Sequence, residues 1–288
     1  MSRKIIAMDG GGTNLRVTCI SSEARFRKNY GTGVNITAVS SANLVSIFSL
    51  VRDDVGIPDY IVAAFSGAGD KTREEKLRQA LDSVFGNIEI EVIMDIEGLY
   101  RAAVGEARGV VVVSGTGSTV YGHDREGKAV KSGGWGHIFD DEGSAYWISK
   151  ELITASLKYR DGLIPHDPIF DKLVEFFEMS TIEELVNLTL MPDMKTEIAS
   201  FSRVALENPI GLARRIADEG IEILAKRTLN VLEKTGEVET IHTFGGSFAS
   251  AYYNNKYSEM INNHRTTLFT GNVDEILAEQ AFEKLNRS

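Results

Sequence analysis

Apolar residues along this chain recur in short runs, several of them closed by glycine. Lys4–Met8 reads as an apolar strand that the sequence DGGGT turns, and Asn14–Ile20 alternates polar and apolar positions with the period of two expected of a second strand. The pattern then predicts a third strand around Phe26–Tyr30, a helix over about Ser40–Val55 and an apolar strand at Tyr60–Phe65 that closes in SGAG. A helix near Arg73–Val84 and a strand at Ile88–Met94 that delivers Asp95 follow, so the first half is expected to run βββαβαβ. A helix from about Glu97 to Gly105 leads to the apolar strand Val110–Val113, a second glycine turn at Ser114–Ser118 and a strand through Thr119–Tyr121. The opening of the first half thus recurs about a hundred residues later, a duplication of architecture with little sequence identity.

Beyond Tyr146 the periodicity becomes helical. Helices are expected over Ala145–Tyr159, Pro168–Glu178, Ile182–Leu190, Lys195–Glu207 and a long Gly211–Lys234. A strand at Thr240–Phe244 ends in GGSF, a short strand lies near Thr266–Phe269, and Val273, Ile276, Leu277, Ala281 and Leu285 form the stripe of a final packing helix.

Composition narrows the class. A chain of 288 residues exceeds the comfortable size of one core and predicts two domains with a cleft between them. Its formal charge of −10, with no cluster of five or more Lys and Arg, opposes bulk attraction to nucleic acid or an anionic membrane. The lone Cys19 excludes an internal disulfide and a multi-cysteine metal site, and its apolar-alternating context predicts a small core residue. The opening MSRKIIAMDGGG has no signal-peptide hydrophobic region, and no run of about eighteen apolar residues occurs, so a cytoplasmic protein is expected.

Three places set glycines and hydroxyls directly after an apolar strand: Asp9–Thr13, Ser114–Ser118 and Gly245–Ser247. Backbone N–H groups gathered there suit an anion, with phosphate the natural guest. Strands, not helices, follow the first two, so the dinucleotide fingerprint fails on context, and no G-x-x-x-x-G-K-[ST] occurs. The richest segment is Ser132–Trp147, SGGWGHIFDDEGSAYW, which packs four glycines, two tryptophans and the acids Asp140, Asp141 and Glu142 into sixteen residues. Close backbone approach, a flat apolar platform at Trp135 and several acceptors suit the hydroxyls of a small polyol. The same glycines also fit a loop capping a helix that begins near Glu142 or Ser144.

DGGGT, Asp95 after a strand, VSGTGS, GGWGHIFDDEGSAYW and a late FGGS together resemble the N-acetylglucosamine kinase family, within the sugar kinase, Hsp70 and actin superfamily and near the BadF/BadG/BcrA/BcrD ATPase group. The resemblance implies an α/β fold of two ribonuclease H-like domains of the duplicated actin and hexokinase type, βββαβαβα, with an interdomain cleft. Residues 1–104 plus 273–288 would form the first domain, and 105–272 the second with a helical insertion. It also implies ATP and Mg²⁺ as cofactors, a sugar as small-molecule substrate and, by analogy with relatives, a homodimer.

For the site, the resemblance implies that Asp9 positions Mg²⁺ through water while Thr13 and the amides of Gly10, Gly11 and Gly12 face the terminal phosphate. Thr116, with Gly115 and Gly117, would bind the inner phosphates; Gly245, Gly246 and Ser247 would line the adenosine side, and Ala205 would touch it. Asp95 would be the general base on the sugar's 6-hydroxyl, and Asn35, Gly134, Trp135, Gly136 and Asp141 would hold the sugar. Plainer readings stand beside these: Asp9 capping its own turn, Asp95 capping the next helix, Asn35 in a turn and Trp135 in the core. His137 is expected to be a structural hydrogen bonder, and Asp140 and Glu142 solvated or cap residues.

Three functions remain in competition. The first is 6-phosphorylation of a hexosamine, with N-acetylglucosamine favoured over glucose or glucosamine by the GGWGH spelling; Asp95 as base and closure of the lobes on sugar would keep ATP hydrolysis low without acceptor. The second is an ATPase that activates a dehydratase, whose iron–sulfur cluster would need cysteines this chain lacks beyond Cys19. The third is a sugar-sensing regulator, which would need a DNA-binding extension before the first strand and a basic face.

Overall fold

The computed structural model describes residues 3–287 apart from Thr13, Asn35, Ala38, Glu237 and Asn263. The chain divides into two compact units, Met1–Glu106 with Gly271–Ser288, and Ala107–Thr270.

Unit 1 is built on β1 (Ile5–Gly10), β2 (Leu15–Ile20), β3 (Arg25–Asn29), β4 (Tyr60–Phe65) and β5 (Glu89–Met94), in the sheet order β3-β2-β1-β4-β5. The first three strands pair antiparallel, and β4 and β5 extend the sheet in parallel with β1. Central β1 and β4 are almost continuously buried, as strands covered on both faces must be, while β3, at the edge, exposes Arg25, Arg27 and Lys28 and so discourages further pairing.

The helices α1 (Ser41–Val55) and α2 (Lys71–Phe85) pack together, and α1 buries Leu44, Phe48, Val51 and Val55. Both starts are capped: Ser40 Oγ accepts the Asn43 amide at 3.2 Å, and Asp70 accepts those of Thr72 and Arg73. The third helix, α3 (Asp95–Val104), contacts α10 (Val273–Arg287), the last helix of the chain, which also packs on β1 and β2. Asp274 of α10 is fully buried and accepts Arg27 Nε at 2.8 Å, Arg27 Nη2 at 3.1 Å and Thr18 Oγ1 at 2.7 Å, tying the chain's end to its first hairpins. Cys19 is buried in β2, the core position its context predicted.

Unit 2 repeats the plan with β6 (Gly109–Ser114), β7 (Ser118–His123), β8 (Ala129–Gly133), β9 (Thr240–Phe244) and β10 (Thr266–Leu268), ordered β10-β9-β6-β7-β8. Both sheets have the ribonuclease H-like strand order, and the expected α/β duplication is correct. Between β8 and β9 lie α4 (Ala145–Arg160), α5 (Ile169–Phe176), a 3₁₀ segment at Ile182–Leu190, α6 (Met194–Ser200), α7 (Ser202–Glu207) and α8 (Gly211–Thr235); α9 (Ala251–Met260) precedes β10.

Four local expectations fail. β8 was not foreseen, because Ala129–Gly133 is half exposed and carries Lys and Ser where an apolar alternation would announce a strand. Nor was α9, whose AYYNNKYSEM buries only Tyr253 and Tyr257. Ile182–Leu190 is 3₁₀ rather than α. The single helix expected over Lys195–Glu207 breaks at fully buried Phe201, whose amide bonds three residues back to Ile198 and whose carbonyl accepts from Val204, the tightening of a 3₁₀ turn.

Candidate active site

The turn after β1 is set by pairing across the hairpin. Asp9 lies opposite Arg16, and Arg16 Nη1 donates to Asp9 Oδ2 at 3.1 Å. Burial pushes the Asp9 carboxyl above its ordinary range; Arg16 counters this, and the negative charges of Asp274 and Asp95 add to the rise. A carboxylate crowded by other acids is suited to a cation that keeps its own water shell, so this donor set fits Mg²⁺ held through water. Among the described residues no group of three or more His, Cys, Asp and Glu forms a direct metal cage.

Gly10 is glycine for packing: a Cβ there would sit 2.3 Å from the Phe65 ring. At Gly11 and Gly12 a Cβ would meet nothing within 4 Å, so their open face is not required by this unit's interior. The Gly11 amide donates to the Asn14 carbonyl at 3.0 Å, so of the amides expected on phosphate this one is engaged by the turn. Thr13 and Asn35 lie outside the described residues.

Asp95 is the first residue of α3, following Met94 at the cap position, and its Oδ1 accepts the Ile96 amide at 2.9 Å. The helix therefore starts two residues before the expected Glu97. Glu97, two residues further in, pairs with Arg101 at 2.6 Å.

In unit 2 two glycine turns lean on each other. Gly245 has φ 110°, and a Cβ on it would lie 2.3 Å from the Ser114 carbonyl oxygen and 2.7 Å from the Gly115 nitrogen, so the FGGS turn is seated directly against SGTGS. Gly115 N–H closes its own turn on the Gly117 carbonyl at 3.0 Å, and Thr116 stands exposed at the tip. Beside it, Gly246 has open space where a side chain would be. Among the described residues four side-chain atoms are buried without a hydrogen-bond partner, Ser149 Oγ, Arg227 Nη1, Thr243 Oγ1 and Ser247 Oγ, the last of these within the FGGS turn. Ala205 lies on α7, which packs against the Gly246–Ala249 segment, and its methyl is 2 % exposed within the apolar core of this unit.

The acid-rich segment is stitched onto the same turn. Ser114 Oγ donates to the Gly143 carbonyl at 2.8 Å, Ser118 Oγ to that of Glu142 at 2.7 Å, and the Ala145 amide to that of Gly115 at 2.8 Å. Asp141, buried and at φ 74°, accepts the Ser118 amide on Oδ1 at 3.1 Å and pairs through Oδ2 with Lys195 at 3.0 Å. Its carboxylate thus sits against Gly117 of the SGTGS turn, with one oxygen on the Ser118 amide and the other on Lys195.

Asp140 and Glu142, expected as solvated or cap residues, are both tied to an arginine. Arg227 Nη2, from α8, donates to Asp140 Oδ1 and to Glu142 Oε2 at 2.6 Å, while Asp140 Oδ2 accepts the Trp135 amide at 2.8 Å. Burial opposes ionisation of Asp140, yet the Trp135 amide and the Arg227 charge together hold its carboxyl below the usual range. Trp135, flanked by Gly134 and Gly136, is 75 % exposed, a platform rather than a core residue, and Lys131 Nζ stands 5.3 Å from its ring centroid. His137 packs edge-to-face on Tyr146 at 5.3 Å, and burial, then the Lys195 charge, push its imidazole below the ordinary value. The helix that follows begins at Ala145, capped by Ser144 Oγ on the Trp147 amide at 3.1 Å.

Arg16, Lys195 and Arg227 were missed. Arg16 was available from hairpin register, being the residue that faces Asp9. Lys195 and Arg227 lie 54 and 87 residues from the acids they hold, and no local pattern marks them.

The profile of the BadF/BadG/BcrA/BcrD ATPase family matches residues 6–274. An N-acetylmuramic acid/N-acetylglucosamine kinase of Clostridium acetobutylicum is 27 % identical over 266 residues, covering 86 % of this chain and 87 % of that protein. An N-acetyl-D-glucosamine kinase of Dictyostelium discoideum is 26 % identical over 252 residues, covering 81 % and 78 %. Among solved structures, an N-acetylglucosamine kinase candidate from Porphyromonas gingivalis superposes with a TM-score of 0.76 over 98 % of this chain and 99 % of that one at 19 % identity, a likeness of fold.

Proposed function

The chain belongs to the BadF/BadG/BcrA/BcrD ATPase family, and from that premise we propose that it is an ATP-dependent sugar kinase that phosphorylates the 6-hydroxyl of a hexosamine, N-acetylglucosamine first among them. The observation that carries the reading is the stitching of the acid-rich segment to the Ser114–Ser118 turn, which joins polyol chemistry to phosphate chemistry within one unit. The names of the Clostridium and Dictyostelium relatives support the same acceptor class.

In this reading Asp95 accepts the proton of the 6-hydroxyl. Trp135, Gly134 and Gly136 hold the sugar ring, and Gly12 with Thr13 faces the terminal phosphate. Thr116 and Gly117 take the inner phosphates, with Gly245, Gly246 and Ser247 beside the adenosine. Mg²⁺ would be held through water by Asp9 and supplies charge neutralisation of the polyphosphate. Phosphoryl transfer through a loose transition state asks the protein mainly for positioning and charge, which suits a site of amides, hydroxyls and few bases.

The test is ADP release with Mg·ATP across N-acetylglucosamine, N-acetylmuramic acid, N-acetylmannosamine, glucosamine, glucose and mannose, with a no-sugar control. A sugar that raises release far above the control supports the reading, and the kcat/KM ranking names the acceptor, glucose or glucosamine being the runner-up. Appreciable hydrolysis that no sugar stimulates would sink it in favour of a nucleotide-driven switch. Asp95→Asn is expected to retain sugar binding and lose at least about 100-fold in kcat; near-normal turnover would remove Asp95 from the role of base.

A further inference from the structure

The phosphate turn of unit 2 has a cation that neither the sequence motifs nor the similarity to known kinases assigns. Lys195 Nζ lies 3.0 Å from Asp141 Oδ2, and the other oxygen of the same carboxylate accepts the Ser118 amide at 3.1 Å. One carboxylate therefore separates the ammonium from the backbone of the turn. Asp141 is 3 % exposed and sits at φ 74°, so the tether is fixed by the fold, while the Lys195 side chain is about one-third exposed. An ammonium has three donors, and the contact with Asp141 uses one.

Electrostatics require such a group. The segment brings three acids, Asp140, Asp141 and Glu142, up to a turn that is to receive a polyphosphate. Arg227 bonds both Asp140 and Glu142, its single positive charge offsetting one of the two. Asp141, the acid nearest the turn, would repel the ligand but for Lys195. The chain has no P-loop lysine, and a lysine acting as a point charge is a common way to hold phosphate. The unpartnered Ser247 Oγ in the adjoining turn is a second, independent sign that this place is completed by a ligand.

We propose, resting on the kinase reading, that Lys195 is a nucleotide-binding residue: its ammonium, held by Asp141 beside the Gly115–Ser118 turn, takes the phosphates of ATP. Lys195→Met then weakens Mg·ADP binding about ten-fold or more by titration calorimetry, and raises KM for Mg·ATP in step, as loss of a charge-assisted contact does. KM for the sugar stays within about two-fold, and Lys195→Arg recovers most of the nucleotide affinity. Wild-type affinity for Mg·ADP in Lys195→Met overturns the proposal. So does an equal loss of sugar and nucleotide affinity that arginine does not rescue, since that is the mark of a structural role. If Lys195→Met does not fold, Lys195→Gln carries the same comparison. Failure of the wild-type protein itself to bind Mg·ADP would instead overturn the kinase reading, so the two failures are separable.

Discussion

The turns that open the two sheets share a spelling and differ in why they are glycine. In unit 1, Gly11 and Gly12 face open space, and nothing in the packing forbids a side chain. In unit 2, Gly245 is pressed against the Ser114 carbonyl, and Gly117 against the Asp141 carboxylate, so the interior itself demands the missing Cβ. The first pair of glycines is not explained by packing, and the turn itself engages only the backbone of Gly11. The second set is explained by the fold, which uses it to bring two turns and an acid segment together. A glycine-rich motif is thus two kinds of evidence, and only the geometry of the absent Cβ tells them apart.

Substitution by alanine breaks the comparison most sharply. Gly245→Ala places a Cβ into backbone atoms that cannot yield, at a φ of 110° that L residues rarely adopt. A loss of about 3 kcal/mol or more is expected, a fall in Tm of roughly 6–12 °C in calorimetry; an unchanged melting profile would mean that the two turns do not touch. Gly12→Ala should do the reverse. Its stability stays within about 0.5 kcal/mol of the parent, while on the kinase reading kcat/KM for Mg·ATP falls roughly 10- to 100-fold, the methyl standing in the open space proposed for phosphate. Normal ATP kinetics in Gly12→Ala would leave the open face of this turn without a function.

Legibility in the sequence follows the same division. Strands covered on both faces, such as Ile5–Gly10 and Tyr60–Phe65, announced themselves as apolar runs, and the glycine turns followed from their ends. Edge strand Ala129–Gly133 and the tyrosine-rich helix Ala251–Met260 did not, because each buries too little apolar surface to leave a period. At the site, the acids were legible as a cluster but their partners were not. Whether Asp140 is solvated or locked depends on Arg227, 87 residues away on another helix. The role of Asp141 likewise depends on Lys195 and on a φ of 74° that no spacing rule foretells.

The two acids nearest these turns extend the comparison to charge and give the smallest effect. Asp141 is satisfied by an amide and an ammonium, whereas Asp9 is partly buried with one more exposed arginine and feels the like charges of Asp274 and Asp95. Because the folded state raises the Asp9 pKa, mainly by burial, folding favours its protonated form. That contribution to stability is complete below the ordinary carboxylate value of 3.8 and is lost as pH rises through the higher folded value, so at neutral pH the ionised Asp9 costs stability. Asp9→Asn, which keeps an acceptor for Arg16 but cannot ionise, should therefore melt slightly higher than the parent at pH 7, with the gain vanishing as pH falls toward 4. Asp141→Asn, at a φ that asparagine tolerates, should melt lower, because Lys195 loses its counter-charge. A fall in Tm for Asp9→Asn at neutral pH would show that Arg16 outweighs desolvation. A rise accompanied by loss of Mg²⁺-dependent turnover would mark Asp9 as a charge retained at the expense of the fold, for the cation and not for the turn.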